Sequence, residues 1–129
     1  MSYFTGLLQT NLYVSDITEA ANWYQDTLGL TIAADYGKTV VLAFGESPAY
    51  DEGKSGPPVL CLIEQKEAVQ KPQTTHPVLG ISREYCESLY NELKENNVEV
   101  EENPSYKGHF KFYDPDGNML EAFCPGIYD

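Results

Sequence analysis

The chain has 129 residues, of which 42% are hydrophobic and 22% charged, which is typical of one folded domain and excludes a disordered chain. Its formal net charge of −12 argues against nucleic acid or an anionic membrane as a partner, because phosphate groups are bound by clustered lysine and arginine side chains. Three cysteines without CxxC spacing, no leader-like start and no apolar run of about 18 residues predict a cytoplasmic protein without disulfides or a membrane span.

The first half of the chain predicts a strand, a helix and three further strands. Alternation in GLLQTNLYV (residues 6–14) sets three side chains on one face of the first strand: Gln9, Asn11 and Tyr13. Asp16 followed by Glu19 forms a capping box, and Gly29 is a natural stop for the helix between them. LTIAADY, KTVVLAF and VLCLIE follow as strands, and the polar segment 45–57 before the last one predicts a mobile loop at a pocket mouth.

The second half repeats this order. HPVLGIS predicts a strand, and a helix follows from Arg83 to about Asn96 with Ser82 as its cap and Tyr85 on its inner side. VEVEE, KGHFKFYD and NMLEAF predict three more strands. The order β-α-β-β-β therefore occurs twice, in modules of about 4–66 and 75–125 within a single domain, 1–129. The expected class is α+β, with two modules that enclose a concave pocket.

One carboxylate in the last predicted strand needs a partner. The turn DPDG at 114–117 joins two apolar segments, and Glu121 lies in the second between Leu120 and Ala122. Ionised carboxylates are rarely buried without a partner. Either a metal ion or Lys111, which lies opposite Glu121 if the turn closes a hairpin, would satisfy this carboxylate.

Three segments carry a family resemblance: NLYVSDITEAANWYQDTLGL, THPVLGIS and FYDPDGNMLEAF. In order and spacing they resemble the vicinal oxygen chelate superfamily, which includes glyoxalase I, fosfomycin-modifying thiol transferases, extradiol dioxygenases and bleomycin-binding proteins. The resemblance implies a glyoxalase-like incomplete barrel of two βαβββ modules and, in the enzymes, a divalent metal on the inner strands. It implies metal ligands at Gln9, His76 and Glu121, a set that suits Zn²⁺, Ni²⁺, Mn²⁺ or Fe²⁺.

Two positions depart from members of that family. Cys61 stands where glyoxalase I has a further glutamate ligand, and it is read as a core residue. Lys111 stands where the fosfomycin enzymes carry a substrate-binding tyrosine, which argues against fosfomycin modification. Inward parity on the strands predicts five contacts to a small-molecule substrate: Asn11, Tyr13, His109, Lys111 and Phe123.

The leading hypothesis is a metal-dependent, glyoxalase-like lyase or isomerase for a small oxygenated or thiol-conjugated substrate. The metal would bind two vicinal oxygens, and Glu121 would carry the abstracted proton. The alternative is a metal-free, antibiotic-resistance protein of the bleomycin-binding type that sequesters an aromatic or cationic compound. The acidic charge and ten tyrosines suit that second role.

We expect a homodimer, because members of this family often complete their pocket by pairing two chains. Light scattering at micromolar concentration should give about twice the chain mass of 14.4 kDa. A single-chain mass at that concentration would contradict the prediction.

Overall fold

The computed structural model describes residues 3–4, 6–45, 58–67, 75–101, 103 and 108–128. The predicted loop 45–57 therefore lies, apart from its first residue, outside the described residues. None of the helices in these ranges has the length and apolar character needed to cross a membrane.

The chain divides into two compact units, residues 1–69 and 70–129. Each unit has the order β-α-β-β-β, which confirms the α+β class and the repeated βαβββ module. The limits 4–66 and 75–125, and their union in a single domain, stay a prediction.

The first unit contains a four-stranded sheet in the order β1-β4-β3-β2. The outer strand β1 runs parallel to β4, whereas the other two pairs are antiparallel. The elements are β1 (Gln9–Val14), α1 (Ile17–Leu28), β2 (Thr31–Asp35), β3 (Thr39–Ala43) and β4 (Val59–Glu64).

The second unit repeats this topology with the order β5-β8-β7-β6. Here β5 runs parallel to β8, and β7 is antiparallel to both of its neighbours. Strand β8, which carries Glu121, is therefore flanked by β5 and β7. His76 lies just before β5, and His109 and Lys111 lie on β7. The elements are β5 (Val78–Gly80), α2 (Arg83–Glu95), β6 (Val100–Glu101), β7 (His109–Tyr113) and β8 (Met119–Phe123).

Helix α1 begins and ends as the sequence predicts. The Asp16 carboxylate accepts the backbone N–H of Glu19 at 3.0 Å, and Gly29 ends the helix in the left-handed region at φ 73°. A second carboxylate, Glu64 at the end of β4, accepts the N–H of Ile17 at 3.0 Å. Two negative charges at the positive end of the helix dipole stabilise this end, and they give Glu64 a structural role.

Helix α2 differs from the prediction at its N-terminus. Ser82 is the N-cap residue, but its side chain makes no cap hydrogen bond. Tyr85 is 59% exposed, so its predicted place on the inner face is wrong. The buried stripe is centred on Cys86 and Leu93, which lie two turns apart, and Tyr85 is rotated away from that line.

Cys61 is a core residue of the first unit. It is buried and packs in a cluster with Val41, Ala43 and Val59. Burial raises the pKa of its thiol, which favours the neutral form and fits a packing role in the core.

The DPDG turn between β7 and β8 is held by one buried carboxylate. Asp114 Oδ1 accepts the N–H groups of Asp116 at 3.0 Å and Asn118 at 2.8 Å. Its Oδ2 accepts the Asn118 side-chain amide at 2.9 Å. Because Asp114 is only 5% exposed, these bonds replace the water that the carboxylate loses on folding.

Asp114→Ala should therefore lower the free energy of unfolding by about 1–3 kcal/mol, because it leaves N–H groups of the turn without acceptors. Urea denaturation followed by circular dichroism measures the change. Asp116→Ala removes a carboxylate from the same turn and keeps its backbone N–H, so it is the control. Equal losses in the two variants would contradict a special role for Asp114.

Candidate functional site

The site is built around Glu121 on β8. Leu120 and Ala122 point into the core, so alternation places Glu121 on the opposite face of the strand. Its side chain is nonetheless only 14% exposed. A carboxylate at this depth requires partners that stabilise its charge.

The imidazoles of His76 and His109 are the partners of the Glu121 carboxylate. His76 Nε2 lies 2.8 Å from Glu121 Oε1, and His109 Nε2 lies 2.7 Å from Glu121 Oε2. An ionised carboxylate only accepts hydrogen bonds, so each imidazole donates from an Nε2 that carries hydrogen. The two oxygens of Glu121 are thus divided between two histidines from different segments.

Strand pairing brings these segments together. His76 lies just before β5, and the next residue, Pro77, accepts the backbone N–H of Glu121 at 3.1 Å. His109 begins β7 and is paired in register with Phe123, which makes it the diagonal neighbour of Glu121. Sequence reasoning placed His109 on the correct face but assigned it to substrate and not to the carboxylate.

Lys111 lies directly opposite Glu121 in the β7–β8 register, as the hairpin prediction requires. Within the described part of the chain, however, the ion pairs of Glu121 go to His76 and His109 and not to Lys111. The cross-strand Lys–Glu pair is therefore wrong as an account of the carboxylate. Histidines already bond to both of its oxygens.

Burial by itself raises the pKa of Glu121, while hydrogen bonds and charge from His76 and His109 lower it. The net direction is downward from the ordinary value of 4.5, so Glu121 is ionised at neutral pH. The lowered pKa makes it a weak base for as long as both imidazoles are bonded to it.

Tyr128 is a site residue that the sequence analysis missed. Its hydroxyl bonds to His109 Nδ1, and Asn103 Nδ2 donates to the same hydroxyl at 3.2 Å. The Tyr128 ring also stacks on Phe123 with centroids 6.2 Å apart, and His109 contacts Phe123 edge-on at 5.0 Å. No local pattern near the end of the chain signals this contact, because it depends on how the last turn folds back.

The predicted site residues of the first unit share one face of β1. Leu12 and Val14 are buried, whereas Asn11 and Tyr13 are exposed. Gln9 Nε2 donates to Asn11 Oδ1 at 2.8 Å. The amide nitrogen is thereby engaged, so the carbonyl oxygen is the atom that Gln9 would offer to a metal.

The fit to a metal rests on the chemistry of the donors. His76 Nε2 and Glu121 Oε1 are 2.8 Å apart, close to the roughly 3 Å that separates neighbouring ligand atoms around a small divalent ion. No group of three His, Cys, Asp or Glu side chains within the ranges the structure covers is arranged to hold a metal ion. His76 and Glu121 thus fit as two ligands of such an ion.

Comparison with known proteins assigns the family. Residues 6–122 match the model of the Glyoxalase/Bleomycin resistance protein/Dioxygenase superfamily, and the chain belongs to that superfamily. This confirms the resemblance that the three sequence segments carry.

Individual relatives are distant. The chain is 29% identical to the glutathione transferase FosA of Serratia marcescens over 114 residues, which covers 85% of this chain and 74% of that protein. A Bacillus cereus structure described as a possible glyoxalase has a TM-score of 0.69 at 26% identity and covers 94% of this chain and 100% of that one.

A third relative shares the fold alone. FosX of Listeria monocytogenes, a fosfomycin resistance protein, has a TM-score of 0.73 at 19% identity, with 97% of both chains covered. A further structure of FosX contains Mn(II) and sulfate.

Glu121→Gln should lower the free energy of unfolding at pH 7, and the deficit should disappear as the solution becomes acidic. The pKa of Glu121 is lowered in the folded protein, so the stabilisation is complete above pH 4.5 and is lost as the pH falls through the folded-state value. Urea unfolding of both proteins from pH 7 to about pH 3 measures this difference.

Lys111→Ala is the control, because it removes the charge opposite Glu121 that takes no part in the ion pairs. Any change in its free energy of unfolding relative to the wild type should stay the same from pH 7 to about pH 3. A Glu121→Gln deficit of constant size down to pH 3 would contradict the assignment.

Proposed function

We propose that this protein is a metal-dependent enzyme with glyoxalase-like lyase or isomerase chemistry on a small oxygenated or thiol-conjugated substrate. The observation that carries the proposal is the Glu121 carboxylate, which is largely buried, ionised and 2.8 Å from the Nε2 atom of His76. Two residues predicted from separate segments as metal ligands thus lie side by side, His76 just before β5 and Glu121 on the neighbouring strand β8.

His76 and Glu121 would hold the metal, and the Gln9 carbonyl oxygen is the proposed third ligand on the basis of the sequence. When bound, a divalent ion would polarise a substrate oxygen and stabilise the negative charge that follows removal of a proton. His76 offers its Nε2 lone pair only with the ring hydrogen on Nδ1. His76 Nε2 therefore cannot donate to Glu121 and bind a metal at once, so a bound metal would take the place of that hydrogen bond.

Loss of that bond has a consequence for Glu121. The hydrogen bond from His76 is the largest of the effects that lower the pKa of this carboxylate. With its lone pair directed at a metal, His76 would no longer donate to Glu121, and the Glu121 carboxylate would be the group that accepts a proton from substrate. The same carboxylate could return the proton at a neighbouring carbon, which is what an isomerase or a lyase needs.

Neighbouring side chains supply substrate contacts. Lys111 lies opposite Glu121 on the same face of the sheet, where its cation would bind an anionic group of the substrate. Phe123 and His109 add an aromatic wall beside the carboxylate. Asn11 and Tyr13 are proposed as further contacts from the first unit.

The relatives support the substrate class. The Serratia marcescens relative is a glutathione transferase, which is an enzyme that handles a thiol. The Mn(II) in FosX of Listeria monocytogenes supports a divalent metal on this fold. The proposal does not include fosfomycin modification, because Lys111 stands where the fosfomycin enzymes carry a substrate-binding tyrosine.

A second candidate is a metal-free binding protein for an aromatic or cationic compound. The observation that favours it is that Glu121 has hydrogen bonds to both oxygens from protein groups alone, and Gln9 bonds to Asn11. A site that is satisfied in this way is stable without a metal. The net charge of −12 would attract a cation.

Metal uptake separates the two candidates. The purified chain, stripped with chelator and offered Zn²⁺, Ni²⁺, Mn²⁺ or Fe²⁺ in turn, should bind one ion per chain. Glu121→Ala and His76→Ala should each lose tightly bound metal, because each removes a ligand. Gln9→Ala should weaken binding less, because a neutral amide oxygen is a poorer ligand than a carboxylate.

The control is Lys111→Ala, which should leave metal content unchanged. Metal content is measured by mass spectrometry of the protein after gel filtration, and circular dichroism checks that each variant is folded. A wild-type protein that takes up none of the four metals would overturn the enzyme proposal in favour of the binding protein.

A further inference from the structure

We infer that His109 and Tyr128 form a positioning pair for Glu121, which holds Oε2 of the carboxylate and leaves Oε1 as the atom that meets metal and substrate. Neither residue is assigned this role by the family ligand set, which draws on Gln9, His76 and Glu121. The role of Oε1 rests on the proposed function, whereas the pair itself rests on hydrogen bonds within the second unit.

The hydrogen bonds have one consistent direction. Glu121 only accepts, so His109 donates from Nε2, and a neutral ring then has a bare Nδ1. That nitrogen accepts from the Tyr128 hydroxyl, whose oxygen in turn accepts from the amide of Asn103. His109 is thus bonded at both ring nitrogens, and its ring orientation is determined.

The C-terminal turn positions Tyr128. Cys124 N–H donates to the carbonyl of Gly108 at 2.8 Å, and Ile127 N–H donates to the carbonyl of Cys124 at 3.1 Å. The Ile127 side chain lies close over Gly108: a Cβ atom added to Gly108 would stand 3.2 Å from Ile127 Cδ1. The turn therefore lies against the start of β7, directly before His109.

This arrangement makes the two carboxylate oxygens different. Oε2 is bonded to a ring that is itself fixed by Tyr128, whereas Oε1 faces His76, the predicted ligand. Hydrogen bonds to a ligating carboxylate orient it and contribute to metal affinity. Glu121 would consequently bind through a single oxygen on the side of His76.

The first test uses the metal-free protein. Long-range ¹H–¹⁵N NMR correlations of the imidazoles at pH 8 should show His109 with hydrogen on Nε2 and a bare Nδ1. Tyr128→Phe should move the Nδ1 resonance, because it removes the hydrogen-bond donor and keeps the stacked ring. Hydrogen on Nδ1 of wild-type His109, with or without hydrogen on Nε2, would overturn the inference.

Tyr113→Phe is the matched control. Tyr113 lies at the other end of β7 and bonds to Glu101, which raises the pKa of Tyr113 to about 12. The substitution removes a phenolic hydroxyl from the same unit but should leave the His109 resonances in place. Equal shifts of the His109 Nδ1 resonance in the two variants would overturn the inference.

The second test measures Co²⁺ affinity and the visible spectrum of the bound ion. His109→Phe keeps an aromatic ring beside Phe123 but removes the donor, so binding should weaken about 10-fold to 100-fold. His109→Gln should recover most of the affinity, because its amide nitrogen reaches close to the position of the ring Nε2. Tyr113→Phe should match the wild type in both readouts.

The outcomes distinguish the two proposals. If wild-type protein binds Co²⁺ and His109→Phe binds it with the same affinity and spectrum, the positioning role is wrong and the metal proposal stands. If wild-type protein binds neither Co²⁺ nor any of the four metals of the uptake experiment, the metal proposal fails, and the NMR result on His109 still decides whether the pair exists.

Discussion

The charge of Glu121 has to be stabilised inside a sheet, and the second unit is organised around that constraint. A carboxylate that is 14% exposed loses most of its hydration, which costs more than an ordinary side chain gains by burial. The protein meets the cost with two imidazole hydrogen bonds, one to each oxygen. Both histidines come from segments that pair with β8, so the site exists only when both strand pairings have formed.

The parallel pairing of β5 with β8 and the antiparallel pairing of β7 with β8 therefore have a chemical consequence. A shift of one residue in either register would turn the paired strand over and move its imidazole to the opposite face of the sheet. The DPDG turn sets the β7–β8 register, and the buried Asp114 holds that turn. A structural carboxylate thus secures the geometry of a functional one.

The hydrogen bonds from His76 and His109 to the two oxygens of Glu121 bear on both candidate functions. A histidine that donates to the carboxylate cannot offer the same nitrogen to a metal, so metal binding and the His76–Glu121 hydrogen bond are alternatives. In an enzyme, that competition would hold the carboxylate ionised at rest, and a bound metal would take the place of the His76 hydrogen bond. In a binding protein, the hydrogen-bonded form would be the working state. The His109 bond to Oε2 is compatible with either.

Much of this structure was present in local sequence patterns. Asp16 with Glu19 and Gly29 bounded helix α1, because caps depend on a few adjacent residues. Alternation placed Gln9 and Glu121 on the non-core faces of their strands, and DPDG predicted the β7–β8 register that puts Lys111 opposite Glu121. The repeated order of elements gave the fold class. Tyr85 was misplaced, because an apolar stripe does not reveal which edge of a helix meets the sheet.

The partners of Glu121 were decided by tertiary structure. Sequence reasoning weighed a metal and Lys111, the residue directly opposite, because those partners follow from family spacing and from pairing rules. The structure instead uses His109, a diagonal neighbour, and His76, which lies 45 residues away in the chain, just before the parallel strand β5. Tyr128 joins them only because the last turn folds back over Gly108. Hydrogen bonds of side chains depend on distances of a few tenths of an ångström between segments far apart in the chain, and a linear pattern of residue types carries no such distances.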